Sequence, residues 1–127
     1  MNNISVDDVL FIHDYILEKS GGLSGIRDRG LLESAILKPH THVFGIERHE
    51  SLFDKAAALL EAIALFHPFI DGNKRTAMAA AGFFLYLNGY ETTFTNSEYE
   101  EFMIYVVNHK PKLKTIATWL EKHSSKF

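Results

Sequence analysis

The chain has 127 residues, 46% hydrophobic and 23% charged, with 16 acidic against 13 basic side chains for a formal charge of -3. That length suits one domain over 1–127, and that composition excludes a disordered tail, a collagen-like repeat or a polar linker as the main content. A mildly acidic balance with no basic run longer than Lys74-Arg75 gives general nucleic-acid binding little support, and zero cysteines remove disulfides, thiolate metal sites and a cysteine nucleophile.

Met1 to Asp8 carries acids where a signal peptide would be positive. The longest uncharged stretch, Thr76 to Tyr90, is short of the roughly 20 residues a membrane-spanning helix needs. A soluble, cytoplasmic protein with no membrane partner is expected.

Ser5 with Asp8 three residues on reads as a capping box. Val6, Val9, Leu10, His13, Ile16 and Leu17 then recur at helical spacing up to Gly21-Gly22, with His13 as a packing residue of that helix face. Asp28 can cap a short second helix carrying Leu31, Leu32, Ala35 and Ile36, which ends near Lys38 because Pro39 disfavours helical geometry in its predecessor. The stretch Thr41-His42-Val43-Phe44-Gly45-Ile46, β-branched and aromatic with one glycine, predicts a small hairpin or an irregular flap.

Ser51 and Asp54 open a third helix whose only charges before His67 are Asp54, Lys55 and Glu61, so most of it is expected to be buried. The fourth is more apolar still: from Ala77 to Leu87 only the Tyr86 hydroxyl is polar, and Asn88-Gly89 supply the stop. Ser97 with Glu100 predict the start of a fifth helix through Val107, and Leu113, Ile116, Ala117 and Leu120 mark a sixth. The expected fold class is all-α: a compact bundle of about six helices around a buried central helix, the fourth, with a small β-like flap.

Between the two most apolar helices stands His67-Pro68-Phe69-Ile70-Asp71-Gly72-Asn73-Lys74-Arg75-Thr76. Lys74 and Arg75 fall in the opening turn of a helix, where free N–H groups and the macrodipole are already positive and acids are preferred. Gly72 lets backbone approach an anion closely, so residues 72 to 75 read as a phosphate cradle. His67 and Asp71 flank it, one a base that titrates near neutrality, the other a hard oxygen ligand suited to Mg²⁺. Together these are the parts of phosphoryl-type transfer to a hydroxyl. Each part also has an ordinary structural reading as helix stop, turn or solvated charge, and a helical module that binds an acidic or phosphorylated partner needs no more. A third possibility, a metal-dependent hydrolase built on His40, His42 and His49, lacks a carboxylate in defined helical register.

The ten residues resemble the Fic signature, His-Pro-Phe-x-(Asp/Glu)-Gly-Asn-(Gly/Lys)-Arg, at every specified position, and Lys74 resembles its death-on-curing (Doc) toxin branch. The segment from Gly21 to Ser34 is similar to that branch too, so the resemblance spans nearly the whole chain.

The resemblance implies His67 as the general base acting on a target hydroxyl, Asp71 as the holder of Mg²⁺, and Phe69 as an anchor of the loop. It gives Gly72, Asn73, Lys74 and Arg75, the Asn73 side chain included, the phosphate oxygens of ATP. It makes the flap at Val43, Phe44, Gly45 and Ile46 the docking edge for an extended target segment.

Fic nucleotidyl transferases usually have Gly at the place of Lys74 and a second Arg at the place of Met78. Both are changed here, which implies a nucleotide lying reversed, presenting its γ-phosphate. The resemblance therefore implies a kinase-type toxin acting on a translation factor such as elongation factor Tu. Pro68 and Gly72 match the nucleotidyl-transferring pattern, which keeps AMP transfer as the alternative. The inhibitory Ser/Thr-x-x-x-Glu-(Gly/Asn) string fails after Ser97 to Glu101, at Phe102, so inhibition is expected in trans, from an antitoxin.

Overall fold

A computed structural model of the chain describes residues 2–40 and 51–127 in full and residues 42–43 and 46–47 by their backbone. Helix α1 spans Val6–Ser20. Ser5 accepts from the Asp8 N–H at 3.1 Å and Asp8 from the Ser5 N–H at 2.9 Å, the reciprocal bonding expected of a capping box. Helix α2, Arg29–Leu37, is capped by Asp28, whose carboxylate accepts from Leu31 N–H at 3.0 Å. It ends before Pro39, in a 3-10 turn at Lys38–His40. Strands β1, His42–Val43, and β2, Ile46–Glu47, pair antiparallel with Val43 opposite Ile46, so the flap is a hairpin.

Helix α3, Leu52–Phe66, is capped by Ser51, and helix α4, Asn73–Leu87, packs along it. Strand β3, Tyr90–Thr92, follows, then α5, Asn96–His109, α6, Leu113–Lys122, and β4, Ser124–Lys126. The architecture is all-α, with α3 touching α2, α4 and α6, and α4 touching α1, α3, α5 and β3.

Three details depart from the sequence expectation. First, the centre is shared between α3 and α4: every residue from Lys55 to Leu60 is buried, and each helix leaves one aromatic exposed near its end, Phe66 at 46% and Tyr86 at 58%. The uniform hydrophobicity of α4 comes largely from Ala79, Gly82 and similar small residues, which cost little when left near solvent. Second, the fifth helix is capped by Thr95 and Glu98, two residues before the expected pair, with bonds of 3.2 and 2.8 Å. Both strings fit the same pattern, and β3 delivers the chain to Thr95 first. Third, β3 and β4 form a second antiparallel pair, Glu91 opposite Ser125, that three-residue strands did not signal.

Buried Lys55 donates to the Pro39 carbonyl at 3.1 Å, and desolvation holds its ammonium below the usual lysine range. In α6 Trp119 is stacked between Phe102 at 4.2 Å and His123 at 4.0 Å. The His123 Nε2 faces a Glu98 carboxylate oxygen at 3.2 Å.

Candidate active site

Helix α3 ends because His67 turns left-handed, at φ 54° and ψ 62°, and Pro68 follows. A β-carbon-bearing residue gives up about 1–2 kcal/mol in that conformation, so something must hold it there. Arg27 does: its Nε donates to the His67 carbonyl and its Nη2 to the Phe66 carbonyl, both at 2.6 Å. A cation on the last carbonyls of a helix satisfies orphan acceptors and opposes the negative dipole end.

The backbone around Arg27 grips the next residues of the loop. Arg27 and Asp28 N–H both donate to the Pro68 carbonyl, at 2.8 and 3.0 Å, Ile70 N–H donates to Gly25 at 3.1 Å, and Ile26 bridges to Phe69.

Phe69 is buried beneath the loop. The Asn73 amide closes on it twice, Nδ2 donating to the Phe69 carbonyl at 2.9 Å and Oδ1 accepting from its N–H at 3.0 Å. The Asn73 side chain therefore braces the loop, and its backbone N–H is what it offers to the cavity. His13 of α1 lies flat on Phe69, ring centroids 3.8 Å apart at 8°, and its Nε2 lies 2.7 Å from the Asp71 carbonyl. Sequence reading gave it only the packing.

The Asp71 carboxylate accepts from Leu23 N–H at 3.1 Å and from Gly72 N–H at 2.8 Å, and these two bonds hold its pKa below the usual aspartate value. Glycine suits position 22, where φ is 129° and a β-carbon would lie 2.8 Å from the Asp71 oxygen that accepts from Leu23.

Helix α4 then starts from Gly72, at φ 79°, with no side chain capping it. Its first backbone bond runs from Thr76 N–H to Gly72 at 2.9 Å, so the N–H groups of Asn73, Lys74 and Arg75 lie ahead of the helical ladder. Lys74 is exposed, while the Arg75 guanidinium reaches back to Ser20 Oγ and the Gly21 carbonyl at the end of α1.

His67, Ile70, Asp71, Gly72, Asn73, Lys74 and Arg75 thus line one open cavity of about 310 Å³, with Val107 of α5 as its far wall. That size lies at the small end of ligand sites. Met78, one turn on, is buried in the core, and half-buried Tyr99 stands near Arg75 with its phenol pushed up to about 12 by burial.

In the flap β1 carries Val43 and β2 carries Ile46, while Phe44 and Gly45 lie outside the described residues. His49 does too, His42 is described only by its backbone, and His40 sits edge-on to Phe84. Among the described residues no three histidines or carboxylates gather as a metal site, and no helix is long and apolar enough to cross a membrane.

Residues 3–85 match the Fic/DOC family. The chain is 42% identical over 102 residues to "Toxin Doc" of Mycolicibacterium smegmatis, covering 79% of this chain and 78% of that protein. It is 31% identical over 122 residues to "Protein kinase doc" of Escherichia phage P1, covering 96% and 95%. The chain belongs to the Fic/DOC family.

Proposed function

We propose that this protein is a Doc-type toxin, a single domain acting in the cytoplasm, that transfers the γ-phosphate of ATP to a serine or threonine of a translation factor, elongation factor Tu by preference, and so blocks translation. One observation carries the reading: the uncapped, doubly cationic start of α4 shares a cavity with His67 and Asp71. The names of the two relatives, a toxin and a protein kinase, support it.

Asp71 suits Mg²⁺, which takes one or two protein carboxylates and completes its shell with water and phosphate oxygens. Two backbone bonds keep the carboxylate ionised, and each of its oxygens retains a lone pair. Bound there, the ion would neutralise charge on the triphosphate.

The N–H groups of residues 73 to 75, with Lys74 and Arg75, hold phosphate oxygens. His67 takes the proton from the target hydroxyl as the new O–P bond forms and the bond to the ADP oxygen breaks. Lys74 and the uncharged, buried Met78 favour this pose over the one that yields AMP transfer.

The hairpin β1–β2 offers an edge for an extended target segment. An antitoxin inhibits in trans, because Phe102 follows the Ser97 to Glu101 string.

Incubating the protein with Mg²⁺, elongation factor Tu and either γ- or α-labelled ATP tests the chemistry. Label from the γ position only is expected. Label from the α position only would replace the kinase by an AMP transferase, and label from neither would leave a phosphate-binding module.

A further inference from the structure

The phosphate cradle leaves unexplained a buried histidine that touches two members of the motif, Phe69 and Asp71, from a helix 58 residues ahead of Asp71. His13 is 2% exposed in the middle of α1, stacked on Phe69 and 2.7 Å from the Asp71 carbonyl. A carbonyl only accepts, so the ring nitrogen facing it must carry hydrogen and donate. The same nitrogen lies 3.5 Å from where a β-carbon on Gly72 would stand, so the ring packs directly beneath the peptide that begins α4.

That peptide has two faces. Its carbonyl, the Asp71 oxygen, turns inward to His13, while the Gly72 N–H and the Asp71 carboxylate close on each other on the side that lines the cavity. With the carbonyl pinned, the peptide plane is fixed by its own planarity, and so is the direction in which the following N–H groups point. Without the donor the carbonyl would be buried against an apolar stack with no partner, and rotating it toward water would swing the carboxylate and the helix start with it.

We propose that His13 is a positioning residue: by donating to the Asp71 carbonyl it sets the plane of the Asp71–Gly72 peptide, and through it aims the carboxylate and the α4 N–H groups at the triphosphate. The role rests on the phosphate-cradle reading of the cavity, but its geometric half can be measured without nucleotide. Packing alone would be served equally well by a phenylalanine on Phe69.

The test is a pair of variants. His13→Phe keeps a ring on Phe69 and removes the donor, whereas His13→Gln keeps an N–H donor of similar reach and removes the ring. Two quantities are read: hydrogen exchange of the Leu23 and Gly72 amides in the protein alone, and the Kd for ATP with Mg²⁺ by calorimetry. His13→Phe is expected to speed exchange at both amides and weaken ATP binding about tenfold, the size of one lost buried hydrogen bond. His13→Gln is expected to stay within about threefold of wild type in both, whatever it does to Tm.

Wild-type exchange and wild-type affinity in His13→Phe would overturn the positioning role. So would His13→Gln behaving like His13→Phe, since the donor would then be irrelevant. Should His13→Phe not fold, His13→Gln decides alone: tightly protected amides uphold the proposal and freely exchanging ones sink it. A wild-type protein that binds no ATP while its amides still respond as expected would remove the triphosphate reading and leave His13 as the organiser of the loop.

Discussion

Two helix starts in this molecule make opposite choices. Helix α5 begins with Thr95 and Glu98, whose side chains take up its leading N–H groups and place a negative charge on the positive end of the dipole. Helix α4 begins with a glycine, offers no side-chain cap and adds two cations. The first arrangement is complete without a ligand and serves stability. The second leaves donors and positive potential unspent beside a base and a carboxylate, which is useful only when an anion arrives.

Cations at a helix start do not suffice, as α6 shows. Lys112 and Lys114 stand at its uncapped first turn, yet Lys114 reaches Asp54 at 3.4 Å, and neither histidine nor glycine lies at that turn.

The sharpest way to break the comparison is His67→Ala, which should cut label transfer about 10² to 10⁴-fold while leaving ATP affinity and thermal stability near wild type. Transfer that survives undiminished would make the α4 start a mere binding site. Next comes Arg27→Ala, which removes both bonds from the end of α3 and frees His67 from its left-handed turn. Label transfer should fall about tenfold with little change in ATP affinity, and Arg27→Lys should recover part of it. Equal losses in both quantities would mean that Arg27 supports the whole loop and not the base.

The α5 start should answer in stability alone. Thr95→Ala should cost about 1 kcal/mol in urea denaturation with transfer unchanged. Bonds from Thr95 hold Glu98 below its ordinary value of 4.5. A depressed carboxyl contributes stability that is complete above 4.5 and lost as pH falls through the lower folded value, so wild type should lose stability across that acid window more steeply than Glu98→Gln, which has no carboxyl to titrate. Identical slopes would remove Glu98 as the cause. Smallest of all is Lys114→Ala, where an exposed lysine leaves Asp54: a change under about 0.5 kcal/mol is expected, and a larger one would mean that α6 depends on its cation after all.

The helices were legible from punctuation. Ser5 with Asp8, Asp28, Ser51, Pro39 and Pro68 set their ends by local bonds or by steric conflict, which need no tertiary partner. The cavity's polar lining was legible for the same reason, since His67 to Arg75 are near neighbours across one tight turn. The choice between Thr95 and Ser97 as a cap was not, because both satisfy the local rule and the β3–β4 pairing decides.

What the sequence by itself determined is the all-α class, the order of the helices and the set of charges gathered at the start of α4. Those follow from spacing and from the φ, ψ preferences of single residues. Only the tertiary structure decided that Arg27 closes the end of α3, that His13 donates beneath Gly72, that Asn73 spends its amide on Phe69 and that Val107 walls the cavity. Each of those contacts joins segments that periodicity treats as independent, and a buried donor finds its acceptor only once packing has brought the two together and excluded water from between them.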